Sequence, residues 1–361
     1  MTDRFFCEFV SNSADASGNQ TLFSSDGAPR TGRAAFRITA GGQFDYSFLF
    51  SNTVDSTYAD GSISRANDPP APWEILSLSA FVCAGAGTIC SDTPRRIPIT
   101  FGGSPRKAVQ PHEMFASDPI RLRAAAGQYL VLEMTYSGYR LPYFEEALLP
   151  LFARTESGYV PERRMPLPAM IGCRRSVRTR VAFLGDSITE GIGVPAGSDA
   201  FWVARVARSL GDAYAVWNLG VGYARAADAA TDGAWLRKAK SAELVSVCLG
   251  VNDLMHECSP EEIMRALDTV VHELRRAGCR VGLFTVPPFG YTGDRCSAWR
   301  QVNAFIRETL ARDAEYVFDT GVLADEPGSP LPRFGGHPNE EGSALLADEF
   351  LAFLQKRHIL T

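Results

Sequence analysis

The residues best equipped for covalent chemistry in this sequence are a serine and a histidine. A serine hydroxyl is a poor nucleophile at neutral pH and needs a general base within hydrogen-bond reach, ordinarily a histidine. The chain has five histidines. His112 lies in a β-rich stretch, His272 inside a helical pattern and His358 in the terminal tail, where packed or solvated roles are expected. His256 follows a strand-like run in Val251-Asn252-Asp253-Leu254-Met255-His256 and is a minor candidate base. His337 stands in Gly335-Gly336-His337-Pro338-Asn339, just before the last helical pattern. Glycines there let the backbone approach closely and Pro338 fixes the exit, so His337 is the best base. The serine to match it is Ser187 in Gly185-Asp186-Ser187, which ends an apolar run. The triplet alone is a weak signal; a place at the carboxyl end of a strand is what raises it.

A serine attacking a carbonyl also needs rigid donors aimed at the developing oxyanion. Two further strand ends supply them. One closes in Asn218-Leu219-Gly220-Val221-Gly222, whose glycines can present backbone N–H groups, and the next in Gly250-Val251-Asn252-Asp253, with an amide side chain. Taken singly, the glycines read equally well as turn geometry and Asn252 as a turn-capping amide. Four such pieces, three at successive strand ends and one before the last helix, are not explained by turns.

The elements that must position these residues follow from periodicity. Up to about residue 165, Gly, Pro, Asn, Asp and Ser recur every 8 to 12 residues between short alternating runs such as 33–39, 43–50, 73–82, 96–101, 119–124 and 128–136. This predicts an antiparallel sandwich or jelly roll. From Arg180 the pattern changes to nearly continuous apolar runs (180–185, 214–220, 244–250, 280–286, 315–319), as expected of parallel strands covered on both faces. Helices are predicted over 200–210, 226–240, 260–277, 297–312 and 339–356, one of them opened by a capping box of Ser259 and Glu262 around Pro260. The fold class is therefore α/β, a flavodoxin-like doubly wound sheet of five parallel strands behind an all-β domain. The expected domains are 1–165 and 166–361, joined through a stretch rich in Pro and Gly.

Length and composition agree with this. A chain of 361 residues exceeds what one core ordinarily serves, and 45% apolar with 21% charged residues describes a folded globular protein. A net charge of -5 gives no general attraction to polyphosphate or anionic lipid, so neither nucleic acid nor membrane is an expected partner. Asp3, Arg4 and Glu8 interrupt any apolar signal core at the start, and a cytoplasmic location is expected. The eight cysteines show no CxxC or Cys/His cluster, so free thiols rather than a metal site are expected, with Cys83 and Cys90 near enough in sequence to reach each other across a turn. No P-loop and no Gly-x-Gly-x-x-Gly after a strand is present, and no cofactor is expected. Pro287-Pro288-Phe289-Gly290-Tyr291 either walls the pocket at the same edge or is simply a rigid turn.

In order and spacing, the blocks at Gly185 to Ser187, Asn218 to Gly222, Gly250 to Asp253 and His337 to Asn339 resemble the SGNH (GDSL) hydrolase family of esterases and acetyl-esterases. The resemblance implies Ser187 as nucleophile, His337 as base, and an oxyanion hole made by the Ser187 backbone, Gly222 and the Asn252 side chain. The β-rich N-terminal region is similar to the accessory sandwich domain of some carbohydrate esterases and acyltransferases. Two departures stand out. The family carries an aspartate three residues before the histidine, where this chain has Phe334 beside Arg333. A dyad whose histidine is held by a backbone carbonyl is the favoured reading, with Asp319 or Glu340 as alternative orienters and Asp325 and Glu341 as further carboxylates to exclude. The family's block-two glycine, five residues after the asparagine, falls on Tyr223, so the donor is either Gly222 or the Tyr223 N–H. The function expected is hydrolysis of a short acyl ester, acetyl foremost, of a sugar or small polyol. An acyltransferase using the same acyl-enzyme is the alternative, and a degenerate carbohydrate-binding protein the alternative from another class. Oligomeric state is not legible.

Overall fold

The computed structural model describes residues 2–90, 95–323, 333–334 and 336–360. The chain divides into two compact units, one of residues 1–178 with 211–217 and one of 179–210 with 218–361.

The first unit is built from antiparallel sheets. One sheet centres on the strands Arg30–Arg37, Tyr129–Gly138 and Trp73–Cys83, with Leu130 opposite both Phe36 and Val82. The other centres on Gly42–Ser51, flanked by Met170–Cys173 on one side and by Met114–Ala116 and Ile120–Ala124 on the other. Residues alternate in burial along Trp73–Cys83, as a pleated strand requires, while Phe36, Phe48, Leu49, Phe81 and Leu130 are fully buried core. Arg33 is buried in the first sheet, bonded through Nε to Glu133 at 2.8 Å and stacked 3.8 Å over the Tyr159 ring. A helix, Thr2–Glu8, opens the chain where a β pattern was expected. It is too short for its periodicity to stand out from alternation.

A five-stranded sheet is formed by β1 (Thr179–Gly185), β2 (Tyr214–Gly220), β3 (Leu244–Cys248), β4 (Arg280–Phe284) and β5 (Tyr316–Phe318), in the order 2-1-3-4-5; all of it belongs to the second unit except residues 214–217 of β2, which are counted with the first. Val181 lies beside Leu244, Val245 beside Val281 and Leu283 beside Val317 in parallel register. This order reverses direction between β1 and β3, the place where doubly wound sheets hold ligands. Helices α1 (Ser187–Glu190), α2 (Trp202–Leu210), α3 (Ala226–Ala230), α4 (Ala234–Ala239), α5 (Val251–Met255), α6 (Pro260–Arg276), α7 (Gly293–Glu308) and α8 (Glu340–Lys356) connect and cover the strands. Phe350 of α8 meets Phe284 at 4.9 Å and Phe318 at 5.2 Å, and Phe183 meets Trp202 at 5.0 Å, a buried aromatic layer against one face.

The helix expected over 226–240 is two helices. Asp232, at a φ of 54°, and Gly233, which caps α4, break it. The helix expected from 297 begins four residues earlier, at Gly293 after an extended Thr292, and it ends at Glu308 before a short 3-10 turn. All eight cysteines are free, Cys83 and Cys90 included. Among the described residues no group of His, Cys, Asp and Glu could hold a metal ion, and no helix is long and apolar enough to cross a membrane.

Candidate active site

β1 ends at Gly185, and the next two residues set the geometry of Ser187. Asp186 leaves the strand in an extended conformation and caps α1, its Oδ1 accepting from the Ile188 N–H at 2.9 Å. Ser187 is the first residue of that helix, part-buried, and its own N–H is not the one the cap consumes. The Ser187 Oγ lies 2.8 Å from His337 Nε2. His337 and Pro338 form β7, paired antiparallel with β6 (Arg333–Phe334) so that Phe334 stands opposite His337. Asn339 then caps α8, accepting from Glu341 and Gly342 N–H at 3.1 and 3.0 Å. Gly193, at a φ of 111°, lies against the Pro338 carbonyl, where any Cβ would collide.

The block after β2 is tied to the same edge. Val221 N–H donates to the Gly185 carbonyl at 3.0 Å, and the Asn218 side chain accepts from Gly220 N–H at 2.9 Å. Tyr223 adopts a φ of 65° in the turn that follows. The Asn252 amide donates to the Ala224 carbonyl at 3.0 Å, which sets its nitrogen beside this turn. An NH₂ group carries two protons, so one remains for a ligand. Thus the structure brings Ser187 and His337 into direct contact, and links the Gly222 turn to β1 on one side and to Asn252 on the other.

Two carboxyls lie beneath these groups. Asp186 is fully buried, and burial pushes its pKa up to about 7, with backbone N–H groups opposing and the charge of Asp253 adding to the rise. Its Oδ2 has no hydrogen-bond partner among the described residues. Asp253 is likewise raised by burial to about 6, and its Oδ2 accepts from Ala226 N–H at 2.9 Å, holding the start of α3. Burial also raises the thiol of Cys248 well above its ordinary value.

The other sequence candidates lie elsewhere. His256 caps the end of α5 and is exposed, as are His112, His272 and His358. Asp319 pairs with Arg307 at 2.9 Å through Oδ2 and accepts from Gly321 N–H at 3.0 Å through Oδ1. Glu340 and Glu341 are exposed in the first turn of α8. Asp325 lies outside the described residues.

Sequence reasoning missed the pegs that hold the strand-end loops. Trp202 Nε1 donates to the Ile188 carbonyl at 2.8 Å, Trp235 Nε1 to Leu219 at 2.9 Å, and Trp299 Nε1 to Val286 at 2.8 Å. Each tryptophan lies on a helix following the strand whose carboxyl end it secures, and that recurrence was the available signal. Asn303 adds a second clamp on Val286, accepting its N–H at 2.7 Å and donating to its carbonyl at 3.1 Å. Phe289 packs edge-to-face on the His337 ring, centroids 5.3 Å apart. Tyr291 presents a buried hydroxyl with no partner among the described residues, and burial followed by the nearby Asp186 raises its pKa.

Residues 183–345 match the model of the GDSL-like lipase/acylhydrolase family. A comparison with curated proteins found no match. Among solved structures, the chain is similar to the psychrotrophic esterase EstA from Pseudoalteromonas sp., with 18% identity, 49% of this chain and 97% of that one covered, and a TM-score of 0.42. It is similar to an acetyl xylan esterase at 19% identity, covering 48% and 99%, with a TM-score of 0.40. A family two carbohydrate esterase from Clostridium thermocellum, in complex with cellohexaose, covers 97% of this chain and 98% of its own at 15% identity and a TM-score of 0.43.

Proposed function

From the premise that residues 183–345 carry a GDSL-like lipase/acylhydrolase domain, that of a serine esterase, we propose that the chain hydrolyses a short acyl ester, acetyl foremost, of a sugar or small polyol through an acyl-enzyme on Ser187. The observation that carries this reading is the 2.8 Å contact of Ser187 Oγ with His337 Nε2 at the carboxyl edge of the sheet. For His337 to act as base, Nε2 must be the unprotonated nitrogen, leaving the proton on Nδ1. Ser187 Oγ attacks the carbonyl carbon while its proton passes to Nε2. The oxyanion is received by the Ser187 N–H, the free proton of the Asn252 amide and an N–H of the Gly222–Tyr223 turn. His337 then protonates the departing alcohol, and a water deprotonated by the same nitrogen releases the acid.

The short acyl group and the sugar or polyol alcohol both follow from the family resemblance. The test is a substrate panel: kcat/KM for p-nitrophenyl acetate, butyrate and octanoate, and acetate release from acetylated sugars. A preference for acetate of about tenfold or more over octanoate, roughly the discrimination one or two pocket methylenes provide, supports the acyl assignment. Equal or better octanoate hydrolysis contradicts it, and absence of acetate release from every acetylated sugar contradicts the alcohol.

A further inference from the structure

The base in this site is gripped by an aromatic ring on a loop that the catalytic proposal does not use. We propose that Phe289 is a positioning residue for His337, its ring fixing the imidazole plane so that Nε2 faces Ser187; this rests on the reading of His337 as the base.

Three observations carry it. First, the two rings meet edge-to-face at 88°, with centroids 5.3 Å apart, an attractive arrangement for aromatic pairs. The terminal torsion of a histidine is broad, so contacts on the ring rather than rotamer preference must set its plane. Second, the chain leaves room for Phe289 at the residue before the base. Gly336 has a φ of 90°, and a Cβ there would lie 2.7 Å from the Phe289 ring. Any other residue would be strained and would displace the ring. Third, Phe289 is presented from a rigid base: both polar backbone atoms of Val286 are clamped by Asn303, its carbonyl also by Trp299, and Pro287 and Pro288 restrict the next two residues. Gly193 packs against the Pro338 carbonyl and the His337 Cβ. The imidazole is thus held between a backbone seat, an aromatic side and the serine it serves.

The consequence is an effect on turnover rather than on substrate affinity. In Phe289→Ala, kcat for p-nitrophenyl acetate should fall by about 10- to 100-fold, the scale of a small misplacement of a catalytic group, with KM changed by less than about threefold. Phe289→Tyr, which keeps the ring, should stay within about threefold of the parent. Phe289→Leu keeps the apolar volume without the ring and guards against a folding failure in the alanine variant; with a parental circular dichroism spectrum, it should lose about fivefold or more in kcat. A smaller loss in the leucine variant overturns the proposal, as does a rise in KM at unchanged kcat, which would make Phe289 a pocket wall. His337→Ala, assayed alongside, separates the two readings. If it keeps parental activity the base assignment itself has failed, whereas an inactive His337→Ala with a fully active Phe289→Leu defeats only the role given to Phe289.

Discussion

The two units bury charge in opposite ways. In the N-terminal unit Arg33 is fully buried, but its guanidinium is bonded to Glu133 and to the Ile89 carbonyl and stacked on Tyr159. In the C-terminal unit Asp186 and Asp253 are as deeply buried, yet among the described residues neither has an ion-pair partner, and backbone N–H groups alone oppose their desolvation. A buried charge given an ion-pair partner is scaffolding, since removing one partner strips the other of its compensation. Buried carboxyls left near neutrality at the strand ends mark a candidate site, where perturbed titration concentrates. The contrast predicts that substitutions in one unit cost stability and those in the other cost turnover.

The largest effect is expected at Ser187. Ser187→Ala should lower kcat/KM for p-nitrophenyl acetate by about 10³-fold or more without moving the melting temperature. Activity within a few-fold of the parent would remove the serine from the mechanism. Next, Asn252→Ala should lower kcat by about 10²- to 10³-fold with KM little changed, as for loss of one oxyanion donor. A change confined to KM would instead make Asn252 a binding residue.

Much of the candidate site was legible because its residues sit where strand periodicity ends. The runs 180–185, 214–220 and 244–250 each close on a short polar block, and such a sheet gathers its strand ends at one edge. What was illegible depends on contacts between residues distant in sequence. Asn303 looks like an ordinary helical residue until its amide is found on Val286, and the indole of Trp202 reads as core until its Nε1 is found on Ile188. The break at Asp232 and Gly233 was hidden because apolar spacing continues across it into α4. Phe334, which stands where the family has its aspartate, is used here as the strand residue opposite His337, a role that pairing alone decides.

In the N-terminal unit the expected effect is thermodynamic. Arg33→Met should destabilise the protein by on the order of 2 kcal/mol, measured by urea denaturation, because Glu133 loses its fully buried partner while keeping Arg96 and the Tyr159 hydroxyl. The folded fraction should keep the parental kcat within about twofold. A large fall in kcat at unchanged stability would erase the distinction between the two units.

The smallest effect concerns pH. Asp186 has a folded pKa of about 7, above its ordinary carboxyl value, so between about pH 4 and 7 the folded state holds a proton that the unfolded state has released. Stability therefore falls as pH rises through that window and levels off above it. Asp186→Asn lacks this titration while keeping a good capping residue. Its melting temperature relative to the parent should improve as pH rises from about 4 to 7 and level off above that. A difference that does not change with pH would mean that Asp186 is not held protonated by burial.

The central claim is that Ser187, activated by His337, becomes acylated. Its most direct test is intact-mass spectrometry and peptide mapping after inactivation with a p-nitrophenyl phosphonate ester, which traps an activated serine as a stable adduct. The account predicts one adduct per chain, located on Ser187, formed at a rate that falls by about 10³-fold in His337→Ala. An adduct on any other residue, or labelling of Ser187 at the same rate without His337, would contradict it.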